Sequence, residues 1–189
     1  MNPLDPFLSK KDDYTDGKYS VHSFSSTDAK FKRIVCKSES ICIIPFDLND
    51  KGEIRNVYLA KYKDHLNNQT SLTCIFDSFD RDQFDSYFES VEDCLEKEIG
   101  FKDVDINDIY YLGKVNHSIP FSKEFRCYAV DLSKYSDDPA GYSSKPVDLD
   151  TVARGRMIEK VKFTKVLKGD IPDSLVLSTS LLLLSQFSE

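Results

Sequence analysis

ESVEDCLEKEIGF, residues 89–101, closes a run in which Phe84, Tyr87, Phe88, Val91, Cys94, Leu95 and Ile99 recur at steps of three and four. That spacing lines one face of a helix with apolar side chains. Asp80 or Asp82 can cap its start, because a short carboxylate accepts from the free N–H groups of a first turn. Gly100 is placed to end it in the left-handed conformation that other residues avoid. Carboxylates crowd the rest of the helix, so its reading decides both the fold and the chemistry.

On either side the pattern is one of strands. FKRIVC, SICIIPFDL and NVYLAKY are rich in Ile, Val, Tyr and Phe. The link NDKGE (49–53) has turn chemistry and joins the second and third as a hairpin. SLTCIF (71–76) reads as a fourth strand. After the helix, INDIYYLGKV, bent near Gly113, and EFRCYAVDL read as two more. Residues 134–156 form a long loop rich in Ser, Asp, Pro and Gly. MIEKVKFTKVL then leads through KGDIPDS to a last helix, Leu175 to Phe187. Residues 1–30 are polar with no sustained period, which predicts an extended N-terminal arm ahead of one domain at 31–189. Strands, a long helix, strands and a terminal helix make an α+β or α/β sandwich.

This order, with the helix where it stands, resembles the Nudix hydrolase fold, an α/β/α sandwich around a mixed sheet, over residues 34–187. ICIIPFDLNDKGEIRNVYLAKY resembles the family's opening hairpin, and IEKVKFTKVLKGDIPDSLVLSTSLLLL its closing segment. The family signature is GX5EX7REUXEEXGU, in which U is a bulky apolar residue. The resemblance implies a helix whose glutamates bind magnesium or manganese beside a diphosphate, since hard cations take carboxylate oxygens. Anchored on Gly100 and Phe101, the signature places Leu95 at its apolar position and Glu98 at the second glutamate of its EE pair. Elsewhere the chain departs from it. Asp93 replaces the arginine, Cys94 the next glutamate and Lys97 the first of the EE pair, while Asp85 and Phe79 stand for the upstream glutamate and glycine. The losses fall on chemical positions and spare packing ones, as expected when an enzyme fold is kept as a scaffold. The expectation is therefore a chain that is not an enzyme, without cofactor or metal. Its alternatives are a metal-dependent hydrolase of nucleoside diphosphate derivatives, with Glu98 as remaining ligand, or a nucleotide-binding sensor that does not cleave.

Composition narrows the partners. A net charge of −7 over 189 residues argues against wholesale binding of nucleic acid. No apolar run is long enough to span a bilayer, and the N-terminus carries no secretory pattern. A soluble, cytoplasmic protein is expected. Five dispersed cysteines and three histidines without CxxC spacing point to free buried thiols, not to zinc or disulfides. The tilt toward Lys, Asn, Ile, Tyr and Phe is that of an AT-rich genome. Residues 76–108 are strongly acidic. Arg154, Arg156, Lys160, Lys162, Lys165 and Lys168 make 153–168 basic, so the two blocks can dock one subunit on the next. The last helix is apolar all round, with Leu181, Leu184 and Phe187 offered to a partner. These features predict a structural subunit of a homo-oligomeric ring or heteromeric assembly, such as a phage neck or tail ring protein, located in the virion. Tyr110 and Tyr111 have rings able to stack a base, yet adjacent strand residues point to opposite faces, so at least one belongs to the core. His117 is a loop residue within reach of a ligand.

Overall fold

The computed structural model describes residues 9–15, 19–25, 30–36, 39–64, 69–79, 84–99, 101–117, 121–135 and 157–187. Its centre is β4 (Glu39–Leu48), whose run ICIIPF is buried on both faces. β4 lies parallel to β9 (Phe121–Asp131), from Ile41 opposite Arg126 to Phe46 opposite Asp131. Its other edge is shared. β7 (Ile75–Phe79) pairs with the first half and β5 (Ile54–Asp64) with the second. β8 (Ile109–His117) is antiparallel to β9, and β10 (Met157–Lys162) is antiparallel to β5. The sheet is thus mixed, as expected. SLTCIF is not one strand: β6 (Gln69–Thr73) pairs with β5, and after Cys74 the chain changes partner to β4.

Alternation along β4 feeds two cores. Ile41 and Ile43 join Tyr58, Ile75, Val91, Leu95, Phe101 and Tyr128 under helix α1 (Tyr87–Ile99). Cys42, Ile44 and Phe46 join Val57, Leu59, Val161, Phe163, Val176 and Leu183 under helices α2 (Phe163–Leu167) and α3 (Ser174–Gln186). Successive strand side chains point to opposite faces, so a strand apolar at every position must be covered on both. That makes three layers, α/β/α. The free thiols of Cys42, Cys74, Cys94 and Cys127 are all buried. No helix among the described residues is long and apolar enough to cross a membrane.

The hairpin turn behaves as its composition suggests. Asn49 Oδ1 accepts from the N–H groups of Lys51 and Glu53 at 2.9 and 3.0 Å, and Gly52 takes φ 79°. The bend in β8 is a register shift between Tyr111 and Gly113, with Gly113 at φ 126°. A Cβ there meets nothing within 4 Å, so the backbone alone selects glycine. Gly113→Ala is expected to lower unfolding stability by about 1–2 kcal/mol, read from urea denaturation.

The expected arm is corrected in part. Residues Ser9–Thr15 and Tyr19–Ser25 form strands β1 and β2, antiparallel to each other, and β2 pairs with β3 (Lys30–Cys36). The alternation of Tyr19, Ser20, Val21 and His22 in β2 breaks at Ser23, where two polar residues adjoin. Polar residues therefore fall on both sides of the strand, and the period of two is too short to mark it in the sequence. β3 joins β9 through Ile34 and Val35. Most of the 134–156 loop lies outside the described residues.

Candidate functional site

Helix α1 starts later than its apolar spacing suggests, and Asp80 and Asp82 lie outside the described residues. Ser86 and Glu89 cap it reciprocally. Ser86 Oγ accepts from the Glu89 N–H at 3.2 Å, and Glu89 Oε2 accepts from the Asp85 N–H at 2.9 Å. At the other end the Phe101 N–H reaches back to the Leu95 carbonyl at 3.3 Å. Gly100 lies outside the described residues.

The signature positions separate into two groups. Phe79, Cys94, Leu95 and Phe101 meet in the core beneath α1. Phe79 stacks edge-on against Phe84 and Tyr87, with centroids 5.2 and 6.5 Å away. Asp85 and Lys97 are exposed and Asp93 is half-exposed. Asp93 binds Lys97 at 2.5 Å, and that hydrogen bond raises the lysine's pKa, keeping it charged. Glu98 stands apart as a carboxylate only 8% exposed, one turn on from Cys94 and on the same side of the helix.

A resident cation of the kind the resemblance implies is held by converging acidic donors. Among the described residues no group of three or more His, Cys, Asp or Glu side chains is arranged to hold a metal. The donors present do not fit a resident ion, since Cys94 is sealed in the core and Lys97 brings positive charge. The buried thiols are no substitute nucleophile, because burial pushes Cys42 well above the ordinary thiol range.

The cavity lies beside the start of α1. A pocket of about 440 Å³ is lined by Ser86, Tyr87, Phe88, Tyr111, Arg126 and Tyr128, within the size range of small-molecule sites. Strand alternation sends Tyr110 to the α3 side, against Phe46 and Phe187 at 6.2 and 5.3 Å. It sends Tyr111, 47% exposed, to the pocket side, 5.3 Å from the Tyr128 ring. Phe88 packs on Tyr128 at 6.4 Å. The Arg126 guanidinium lies 4.2 Å over the Tyr87 ring, and its Nε is 3.7 Å from Glu39 Oε2. The Tyr87 hydroxyl donates to that same carboxylate oxygen. Burial pushes Tyr128 up to about 12, with Arg126 pulling the other way. Its phenol is therefore a hydrogen-bond donor at neutral pH. Flat aromatic walls with one held cation suit a planar ring joined to an anionic group. Of this set only Tyr111 was legible as a ligand contact. The others sit 15 to 25 residues away from it in the chain, and only the β8–β9 pairing and the crossing of α1 assemble them.

The residues expected at an interface do not form one patch. Lys160 and Lys162 are exposed on β10, whereas Arg154 and Arg156 lie outside the described residues. Leu184 and Phe187 are half-buried against the α3-side core, Phe187 meeting Phe46 at 5.0 Å, and Leu181 is exposed. His117 is paired in β8 opposite Lys123, not in a loop.

No family model matches the sequence, and no curated protein does. Solved structures match throughout the fold. That of an ADP compounds hydrolase is 14% identical with TM-score 0.63, over 100% of this chain and 97% of its own. A mutT/nudix family protein from Listeria innocua is 13% identical with TM-score 0.53, over 80% and 94%. The Nudix domain of Shewanella oneidensis NrtR complexed with ADP ribose is 13% identical with TM-score 0.51, over 86% and 93%. At these identities the likeness shows the fold, a Nudix-like sandwich. It also corrects the expectation that the chain is not an enzyme. The fold that the sequence takes up is one found in solved hydrolases of nucleotide compounds, so the departures from the signature do not carry that expectation.

Proposed function

We propose that the chain hydrolyses a nucleoside diphosphate derivative, with the base held in the pocket of Tyr87, Phe88, Tyr111, Arg126 and Tyr128. The observation that carries this reading is that pocket: stacking surface and one positioned guanidinium, beside the helix on which related folds place their chemistry. The similarity to an ADP compounds hydrolase and to a domain complexed with ADP ribose supports the same substrate class. It favours hydrolysis over a subunit of a phage ring. Glu98 is the carboxylate retained on α1. Magnesium bound by substrate phosphates needs only one or two protein carboxylates, so the ion is part of the substrate here and not a resident of the protein.

The test is product release from ADP-ribose, ADP-sugars and dinucleoside polyphosphates with Mg²⁺ or Mn²⁺. Tyr111→Ala is expected to raise KM about tenfold, since an aromatic stack on a base contributes about 1–3 kcal/mol. Glu98→Gln, checked for folding by circular dichroism, is expected to abolish turnover while leaving nucleotide binding. Absence of turnover in the folded wild-type protein across the panel overturns the hydrolase reading.

A further inference from the structure

The most highly coordinated side chain outside the pocket is Asp47, 3% exposed, near the end of β4. One carboxylate oxygen accepts from Arg55 Nε at 2.9 Å, and Asn56 Nδ2 donates to both oxygens at 3.0 Å. The other oxygen accepts from the Tyr58 hydroxyl at 2.7 Å and faces Lys160 Nζ at 3.6 Å. Asp47 thus stands against two cations, with Asp50 acting on Arg55 from the turn. Lys162 follows on the same face of β10, its Cα opposite Asn56 and next to Arg55, and among the described residues it makes no ion pair. In a chain of net charge −7 this corner carries a local positive excess.

The cations are also held in place. Arg55 spends Nε on Asp47, while its terminal nitrogens have no hydrogen-bond partner among the described residues and the side chain is 55% exposed. A guanidinium fixed by a buried carboxylate presents its remaining donors in the planar fork that matches phosphate oxygens. Lys160, its ammonium 5.6 Å above the Tyr58 ring, stands beside it. This corner is not part of the aromatic pocket. The pocket residue Tyr128 lies opposite Ile43, four residues from Asp47 on β4, or about 13 Å along the strand at about 3.3 Å per residue. None of Arg55, Lys160 and Lys162 lines the pocket.

We propose that the β5–β10 corner is a second site, binding a phosphate-class anion through Arg55, Lys160 and Lys162 with Asp47 fixing their geometry. The site does not depend on the hydrolase reading.

Titration calorimetry of the full chain with inorganic pyrophosphate, without divalent ions, tests it. Submillimolar binding is expected, weakened at least about fivefold by Lys162→Ala, which removes a charge-assisted hydrogen bond, and by Arg55→Lys, which removes the planar fork. Lys162 is exposed and Arg55→Lys keeps the charge on Asp47, so neither change threatens the fold. Lys102→Ala, an exposed lysine paired with Glu96 and part of neither site, is the charge control and is expected to leave pyrophosphate affinity unchanged. Three outcomes overturn the proposal: no binding by the wild-type chain, binding lost in Arg126→Ala but intact in Lys162→Ala, or binding of poly-glutamate without pyrophosphate. The last assigns the corner to an acidic protein surface.

Discussion

Asp47→Ala is expected to lower unfolding stability by about 3 kcal/mol, the lower end of what removing one partner from a buried charged cluster costs. The lower end applies because Arg55 and Lys160 are exposed enough to rehydrate, whereas Asn56 and the Tyr58 hydroxyl lose a buried acceptor. For a chain of this size that is a fall in melting temperature of roughly 6–12 °C. Asp47→Asn keeps an acceptor and loses the charge, so its cost is expected to be about half as large. The same group makes a pH prediction. Burial alone would raise its pKa, but hydrogen bonds from Arg55, Tyr58 and Asn56 outweigh that and hold Asp47 below the ordinary carboxylate range. A carboxyl depressed in the folded state contributes its stability above its unfolded pKa, about 3.9. That contribution is lost as pH falls through the lower folded value. The acid limb of the melting curve is therefore expected to be shallower in Asp47→Asn than in wild type. Identical limbs would mean that Asp47 is not held charged by its neighbours.

Leu183→Ala is expected to cost about 3 kcal/mol, within the about 2–5 kcal/mol of leucine truncations in cores, while Leu181→Ala stays within about 0.5 kcal/mol. Leu183 is fully buried against the sheet and Leu181 is 51% exposed two positions earlier. The pair tests how α3 is seated. Read from sequence, its leucines surround the helix and call for a partner on the outside. In the structure Leu175, Val176 and Leu183 are buried, and Leu182, Leu184 and Phe187 are partly covered by the same core. Equal losses at both positions in urea denaturation would require a cover over Leu181, which a subunit contact would provide.

What could be read in advance followed from local rules. The α1 stripe from Phe84 to Leu95 marks a helix because its period is 3.6, and NDKGE marks a turn because Asn49 and Gly52 suit its backbone. The Ser86–Glu89 capping pair was also present in the sequence, beginning four residues beyond Asp82, and would have fixed the true start. The break at Cys74 was not legible, because a strand that changes partners keeps its β composition throughout. Nor was the pocket. Arg126 and Tyr128 read as ordinary strand residues until β9 brings them under α1. The signature helix misled for a related reason. It records which residues were lost, and it says nothing about the stacking surface assembled elsewhere.

The parallel seam between β4 and β9 has a consequence for synthesis. Ile41 must wait for Arg126, 85 residues later, which at about 5–20 residues per second is about 4–17 s on the ribosome. During that interval β5 and β7 can fold back on one edge of ICIIPF, while the other edge has no strand to meet. A segment apolar on both faces with an open edge is a template for intermolecular pairing. Such long-range closure is also slow once the chain is free. Yield on expression should therefore depend on how fast the nascent chain reaches Asp131, with holdase chaperones most useful before that point.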